Sequence, residues 1–328
     1  MRLTCQQTEH FDREGYVVAE GALSDADLDP VIGAYEEYID RRAGQLCAQG
    51  KISRNYRVEP FDRRLACISE ENLEIYREMD IMECRLQAAF DFLRNEALMD
   101  LVESLIGPEI LCSPIQHGRA KLPGNLEFRG QGDPEEGRKQ LEAVICENVA
   151  PWHQDAQVHL EEADPCFILT VWLPLGEATP ENGCLQVIPR VHHHGLVYWS
   201  EGFGLDPQQI SGAEVVTLPM KKGSVLLMHK LIPHCSTPNL SGGIRWSMDL
   251  RYQRIGTPTG RSFYPEFATR SRANPALVLR EYESWRQQWQ AVLEKIPTAQ
   301  RPRRQHRPLA VTPIAVAGRT EPPSRSAS

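Results

Sequence analysis

The chain has 328 residues, which is enough to bury a large hydrophobic core without disulfides or a structural metal ion. With 41% hydrophobic and 24% charged residues, the composition excludes disordered, collagenous and coiled-coil proteins. The formal net charge of -8 does not favour nucleic-acid binding, because phosphate contacts require a basic surface. We therefore expect no nucleic-acid partner and look for chemistry on a small-molecule substrate.

The first third of the chain is predicted to be helical after a short extended lead at residues 11–23. Ser24 is a plausible N-cap, and apolar residues recur at helical spacing behind it, namely Leu28, Ile32, Tyr35 and Ile39. A second helical block is predicted from about residue 72 to 105, where Gly107 and Pro108 end it. The helical N-terminal part thus covers about 24–107.

From about residue 110, short apolar runs alternate with Gly, Pro and Asn. The runs are 110–116, 166–173, 185–188, 215–218, 224–229 and 244–252. Their spacing predicts an antiparallel sandwich or barrel over about 110–256. A closing helix is predicted at about 275–295, so that residues 1–297 form a single domain.

The first residues, the last residues and the apolar stretches of the chain indicate where in the cell the protein is expected. Residues 298–328 carry six arginines, a single acidic residue and no apolar periodicity, which predicts a disordered basic tail. The longest apolar stretch, residues 166–175, is about half of what a membrane-spanning helix needs. The first residues show no signal peptide, and the nine cysteines have no C-x-x-C spacing. We expect a cytoplasmic protein with no membrane partner; nothing indicates its oligomeric state.

The segment Pro151-Trp152-His153-Gln154-Asp155 carries the chemistry. On an extended strand, residues two apart point to the same side, so His153 and Asp155 would present an imidazole and a carboxylate to one cavity. His234, at the end of a predicted strand, is the natural third ligand. Two histidines and one carboxylate on one face of an octahedron are the ligands of non-haem Fe(II) oxygenases, and they leave three positions for an oxo acid and O2.

Arg245 follows His234 by eleven residues, beyond a turn rich in Pro, Asn, Ser and Gly. Its planar guanidinium pairs bidentately with carboxylates, which suits the distal carboxylate of 2-oxoglutarate. Alternation along IRWSMDLRY places Arg245, Ser247, Asp249 and Arg251 on one face of a strand. Ser247 is therefore predicted to donate a second hydrogen bond to the same carboxylate.

Taken together, these residues resemble the phytanoyl-CoA dioxygenase family of Fe(II)- and 2-oxoglutarate-dependent oxygenases. The resemblance covers most of residues 7–295 and includes FDREGYVVAEGALSDADL, LVESLIGPEI, PWHQDA, ENGCLQVIPRVHHHG and PHCSTPNLSGGIR. It implies a mainly β fold with flanking helices, built on a double-stranded β-helix, the cupin-like jelly roll. It also implies Fe(II), 2-oxoglutarate and O2 as cofactor and cosubstrates, and hydroxylation of a substrate C–H bond with release of succinate and CO2.

The resemblance implies that His153, Asp155 and His234 bind the iron. It also implies that Arg245 binds the distal carboxylate of 2-oxoglutarate. Lys121, in GRAKLPG, is similar to a lysine that assists the cosubstrate; a solvated lysine is the alternative. Asn182 resembles an asparagine that contacts cosubstrate or substrate; a role in the turn alone is the alternative. The segment 128–148 is either a lid over the pocket or an ordinary surface excursion.

Three other functions remain open at this point. Desaturation, ring closure or epimerisation would use the same metal triad. A zinc-dependent hydrolase or lyase would also use three such ligands and one water, although Arg245 and the predicted barrel weigh against it. A relative that binds a ligand without turnover is the third possibility. The substrate itself is not indicated by the sequence.

Overall fold

The fold is known from a computed structural model that describes residues 1–197, 204–205 and 207–295. Its helices are α1 (Cys5–Glu14), α2 (Asp25–Ala48), α3 (Phe61–Ser69), α4 (Glu74–Arg77), α5 (Ile81–Cys84), α6 (Gln87–Phe92), α7 (Glu96–Ile106), α8 (Pro134–Glu147), α9 (Pro207–Ile210) and α10 (Tyr282–Lys295). Its strands are β1 (Tyr16–Ala19), β2 (Glu109–Cys112), β3 (His117–Lys121), β4 (Ile168–Pro174), β5 (Leu185–Val187), β6 (Val216–Leu218), β7 (Val225–His229), β8 (His234–Ser236), β9 (Arg245–Arg254) and β10 (Phe267–Ser271).

The strands form two antiparallel sheets. The larger sheet has the order β1-β7-β4-β9-β2-β10, and β3 pairs with β9 beside β2. The smaller sheet has the order β6-β5-β8. Leu185 and Val187 of the smaller sheet pack with Trp172, Leu226 and Met228 of the larger one. The predicted jelly-roll class, mainly β with flanking helices, is confirmed as two facing sheets, and no closed barrel occurs among the residues described.

Strand β9 separates the hydrophobic core from the interior between the sheets. Trp246, Met248, Leu250 and Tyr252 belong to the main core, where the Trp246 ring stacks on Phe61 with centroids 4.6 Å apart. The alternate side chains face the other way, and Arg245, Asp249 and Arg251 among them line a cavity. The alternation predicted from the sequence is therefore correct, and it explains how one strand carries four charged or polar groups that face away from the core.

Helix α2 begins where the sequence indicated. The Asp27 carboxylate accepts hydrogen bonds from the Ser24 amide at 2.8 Å and from its hydroxyl at 2.6 Å. The prediction of an extended lead was wrong for residues 11–14, which belong to α1. This helix was missed because its polar sequence has little apolar periodicity, although Thr4 and Gln7 form a capping box at its start.

The block predicted over 72–105 is broken into short helices instead. Asp80 and Asn95 begin new helices by capping α5 and α7, and Arg85 adopts a left-handed conformation with φ of 43°. The closing helix starts at Tyr282, after a 3-10 turn at Pro275–Leu277. The predicted tail at 298–328 lies outside the described residues. In the part of the chain that is described, no helix has both the length and the apolar character needed to span a bilayer.

Candidate metal and 2-oxoglutarate site

The segment that contains His153 and Asp155 meets the start of β8. His153 and His234 form a two-residue antiparallel bridge, with N–H to O distances of 3.0 and 2.9 Å. The expectation that His153 and Asp155 share an extended strand was wrong, because Asp155 begins a 3-10 turn, Asp155–Val158. The Gln157 side chain accepts the Gln154 amide hydrogen at 3.0 Å and so stabilises this turn.

The three predicted ligands nevertheless converge. One ligand atom from each of His153, Asp155 and His234 lies within 4.8 Å of the others. The Nε2 atoms of His153 and His234 are 3.7 and 3.8 Å from Oδ1 of Asp155. The Nδ1 atoms lie 2.8 and 3.0 Å from the carbonyls of Pro151 and Ile232, which fixes the tautomer and turns Nε2 toward the carboxylate. This geometry suits a divalent metal ion held on one face.

Asp155 is held by partners that the sequence analysis did not assign. Arg251 donates to both carboxylate oxygens, from Nη2 to Oδ1 at 2.8 Å and from Nε to Oδ2 at 3.1 Å, and the Thr170 hydroxyl donates to Oδ2. Thr170 lies directly opposite Arg251 on the neighbouring strand. The alternation of β9 had placed Arg251 on the correct face, but only the strand register brings it to Asp155.

The electrostatics of the triad suit metal ligation. Burial, followed by the proximity of His234, lowers the pKa of His153 to about 3, so the imidazole is neutral at physiological pH. Burial alone would raise the pKa of Asp155, but Arg251 and the two histidines hold it well below its usual value. A neutral imidazole and an ionised carboxylate are the forms that bind metal ions.

Two cations lie at the opposite end of the same cavity. Lys121 of β3 and Arg245 of β9 are directly paired across the strands, so their side chains share one face. Both are buried, with exposures of 1% and 4%. Lys121 donates to the Ser236 hydroxyl at 2.7 Å, Arg245 donates to the Ser247 hydroxyl, and the Arg245 guanidinium lies 5.3 Å from the centroid of the Trp172 ring.

These two cations have no carboxylate partner among the described residues, and the Nε of Arg245 has no hydrogen-bond partner there either. Burial and then Arg245 lower the pKa of Lys121 to about 7, while burial and then Arg119 lower the pKa of Arg245 to about 10. Buried charges are costly unless they are paired. An anionic ligand would satisfy these two buried groups, and the residues fit the distal carboxylate of 2-oxoglutarate.

The cavity that joins the two ends has a volume of about 200 Å³. His153, Asp155, His234, Lys121 and Arg245 all line it. Space for a small dicarboxylic oxo acid is thus present between a metal-ligating triad and a pair of cations. The structure brings together the predicted ligands, the predicted arginine with Ser247 beside it, and the lysine whose solvated alternative is excluded by its burial.

Asn182 is not brought into this cavity. Its Oδ1 accepts the Thr179 amide hydrogen at 2.7 Å, and its Nδ2 donates to the Glu177 carbonyl at 2.8 Å, so the side chain stabilises its own turn. The next residue, Gly183, has a φ of 95°, and a Cβ there would be 2.7 Å from the Lys121 side chain. The turn therefore serves the site through Gly183, which allows Lys121 to pack closely.

The mouth of the cavity is formed by β3 and the end of α8. The sequence left open whether the segment 128–148 is a lid or an ordinary surface excursion. In the structure this segment contains α8, and Glu147, the last residue of α8, lines the cavity together with the adjacent Asn148. His117 and Arg119 of β3 and Asp249 of β9 line the same region. None of these five residues was assigned a role from the sequence, since β3 has little apolar character and its neighbours in space are far away in the chain.

Comparison with known protein families and sequences gives a consistent result. The family model described as phytanoyl-CoA dioxygenase matches residues 11–247. The peroxisomal phytanoyl-CoA dioxygenase of Homo sapiens is 22% identical over 267 residues, covering 76% of this chain and 68% of the human protein. The methylphosphonate hydroxylase of Gimesia maris is 30% identical over 115 residues, which cover 34% of this chain and 42% of that relative.

Solved structures share the fold. The non-haem monooxygenase ThoJ in its apo form superposes with a TM-score of 0.56 at 17% identity, covering 88% of this chain and 97% of ThoJ. The epimerase SnoN, solved with Fe3+, α-ketoglutarate and a nogalamycin compound, gives a TM-score of 0.50 at 18% identity, covering 79% and 87% of the two chains. At this identity the likeness concerns the fold.

Proposed function

The chain belongs to the phytanoyl-CoA dioxygenase family and is a non-haem iron, 2-oxoglutarate-dependent dioxygenase, and we propose that it hydroxylates an unactivated C–H bond of a small-molecule substrate. Succinate and CO2 are the co-products of this reaction. The proposal rests on one observation. A His-Asp-His triad and two buried cations, which have no carboxylate partner among the described residues, line one cavity of about 200 Å³.

His153, Asp155 and His234 hold Fe(II) in this proposal, and three protein ligands leave positions for cosubstrates. Arg245 and Lys121 hold the distal carboxylate of 2-oxoglutarate, whose single negative charge lies between them. Ser247 accepts a hydrogen bond from Arg245, which leaves its own hydroxyl hydrogen available to the same carboxylate. Asn182 shapes the turn that precedes β5 and does not contact the cosubstrate.

When bound, iron with 2-oxoglutarate and O2 supplies the oxidant for an unactivated C–H bond. The protein's own part is to orient the reactants and exclude water. Trp172 and Met228 line the cavity between the two ends, and an apolar wall of this kind limits the access of water to the reacting atoms. Arg251 and Thr170 keep the Asp155 carboxylate in one orientation, as partners of metal ligands commonly do.

Hydroxylation is the proposed outcome because Asp155 supplies a complete triad and because a hydroxylase is among the relatives of this chain. Desaturation, ring closure and epimerisation use the same cofactors, and the product that forms distinguishes each of them from hydroxylation. In an atmosphere of 18O2, hydroxylation places one labelled oxygen atom in succinate and the other in the product. Labelled succinate together with an unlabelled, dehydrogenated or isomerised product would contradict hydroxylation while leaving the oxygenase class intact.

The oxygenase class is tested before the substrate is known. We expect anaerobic addition of Fe(II) and 2-oxoglutarate to give a visible charge-transfer absorption that Asp155→Ala abolishes. A requirement for zinc, with no such absorption, would favour the hydrolase or lyase alternative. Absorption without succinate release, in a panel of CoA thioesters, amino-acid derivatives, alkaloids and other secondary metabolites, would favour a relative that binds without turnover.

A further inference from the structure

One row of side chains crosses the larger sheet from the mouth of the cavity to its interior. His117 of β3, Asp249 of β9 and Trp172 of β4 are directly paired in register, so all three lie on the same face of the sheet. All three line the cavity that contains the metal triad. The row lies between the Arg245 end and the Arg251 end of β9, where a substrate must lie to reach the metal.

His117 is oriented by a carboxylate behind it. Its Nδ1 is 2.7 Å from Oδ2 of Asp80, whose Oδ1 accepts the Met82 amide hydrogen at 2.9 Å. An ionised carboxylate only accepts hydrogen bonds, so Nδ1 carries the hydrogen. Burial raises the pKa of Asp80, but His117, Met82 and Arg119 bring it below its usual value, which keeps this carboxylate ionised. In the neutral imidazole, Nε2 is then an acceptor for a ligand in the cavity.

The other polar groups at the mouth are mostly acceptors as well. Glu147 is exposed at the end of α8 and has no ion-pair or hydrogen-bond partner among the described residues. Asp249 uses Oδ2 for Arg251 at 3.3 Å and Arg119 at 3.7 Å. The Asn148 side chain is hydrogen-bonded to Tyr76: its Oδ1 accepts from the Tyr76 hydroxyl at 3.0 Å, and its Nδ2 donates to the same hydroxyl oxygen at 2.7 Å. Arg119 is the cationic donor here; its guanidinium lies 3.7 Å from Asp249, which also contacts Arg251, so the two acidic residues of the mouth, Asp249 and Glu147, outnumber it.

Space limits the substrate too. The cavity of about 200 Å³ has to hold the cosubstrate and the reacting part of the substrate. His117 and Glu147 belong to the more exposed part of its lining, so a part of the substrate that extends away from the reacting bond meets them.

We infer that the substrate is a small molecule recognised through hydrogen-bond donors, a hydroxyl or an ammonium group, which the His117 Nε2 and the Glu147 carboxylate accept. This inference rests on the proposed function, because it places the substrate beside the proposed iron. A phosphate or a coenzyme A thioester suits the mouth less than a hydrogen-bond donor does, since the carboxylates of Asp249 and Glu147 outnumber the guanidinium of Arg119 there.

The test is calorimetric binding to the full chain at pH 8 without O2, in the presence and absence of Fe(II) and 2-oxoglutarate. The probes are matched pairs: glycerol with glycerol 3-phosphate, ethanolamine with phosphoethanolamine, and glucosamine with glucosamine 6-phosphate. We expect at least one donor-bearing probe to bind about tenfold more tightly than its phosphorylated partner. The metal absorption is recorded in the same samples, so a failure of the proposed function is seen separately from a failure of binding.

Two variants assign the effect to residues. His117→Phe should weaken hydroxyl and ammonium probes alike, by about tenfold. Glu147→Gln, at an exposed helix end, removes the negative charge and keeps an acceptor oxygen, so it should weaken ammonium probes more than glycerol. Glu142→Gln, on the same helix but paired with Arg138 and outside the cavity lining, is the control and should change nothing. Tighter binding of phosphorylated probes or acetyl-CoA, no preference for any donor-bearing probe, or equal effects of Glu142→Gln and Glu147→Gln would overturn the inference.

Discussion

The two ends of the cavity along β9 differ in whether their buried cations have a carboxylate partner in the protein. At one end, Arg251 is paired with Asp155 through two hydrogen bonds and also contacts Asp249 at 3.3 Å. At the other end, Arg245 and Lys121 lie side by side with hydroxyl partners but no carboxylate in the described residues. Both ends are on the same strand and are similarly buried. The difference is whether the protein or a ligand supplies the opposite charge.

This difference separates a structural charge pair from a binding site. A buried pair that is broken by removing one partner leaves an uncompensated charge, which is strongly destabilising. A buried cation that has no partner already bears this cost in the ligand-free protein, and an anion that binds there relieves it. Like charges beside one another in a cavity therefore indicate a ligand more directly than the same charges in an ion pair.

The largest expected effect is on Arg251. Arg251→Met removes the main partner of Asp155 and leaves that carboxylate buried, so we expect the free energy of unfolding to fall by about 3–5 kcal/mol. Denaturant unfolding of the metal-free protein measures this directly. Unchanged stability would mean that Thr170 and the two histidines suffice to compensate Asp155, and the contrast between the two ends would disappear.

Arg245→Met is the matched substitution at the other end. It removes a buried guanidinium that has no carboxylate partner, so the stability of the ligand-free protein should be unchanged or higher. Binding of 2-oxoglutarate should weaken by about 2–5 kcal/mol, measured by titrating the Fe(II)-dependent absorption. Destabilisation equal to that of Arg251→Met, with 2-oxoglutarate binding intact, would show that Arg245 is a structural residue.

The sequence named the residues that the structure brings together in the metal triad and at the Lys121–Arg245 pair, but the spacing argument for His153 and Asp155 was wrong, because Asp155 lies in a 3-10 turn and not on a strand. It predicted the inward face of β9 correctly, including Arg251, but could not pair Arg251 with Asp155. That pairing depends on the register of β4 against β9 and on the 3-10 turn at Asp155. The short helices of 72–105 were missed because caps at Asp80 and Asn95 override a continuous helical pattern.

A smaller effect is expected for Thr170, whose hydroxyl supports Asp155 from the neighbouring strand. Thr170→Val keeps the shape and removes a hydrogen bond to a charged acceptor, which costs about 1.5–3 kcal/mol of stability. The control is Thr269→Val, where the buried hydroxyl donates to the neutral Ile110 carbonyl at 3.3 Å and about 0.5–1.5 kcal/mol is expected. Thr170→Val should also weaken metal binding, measured with Fe(II), whereas Thr269→Val should not. Equal costs with equal metal affinity would contradict a role for Thr170 at the metal end.

The smallest effect concerns the protonation of Lys121, whose pKa burial and Arg245 lower to about 7 in the ligand-free protein. Only the protonated amine pairs with a carboxylate, so 2-oxoglutarate raises this pKa and its binding takes up a proton above pH 7. The apparent dissociation constant should therefore rise with pH, by at most about tenfold per pH unit, between pH 7 and 8.5. Lys121→Met should bind more weakly with a flatter pH dependence, and Lys139→Met, at an exposed ion pair with Glu135, should behave as the unaltered protein. The same slope in Lys121→Met and the unaltered protein would assign the pH dependence to another group and leave Arg245 as the anchor without a titrating partner.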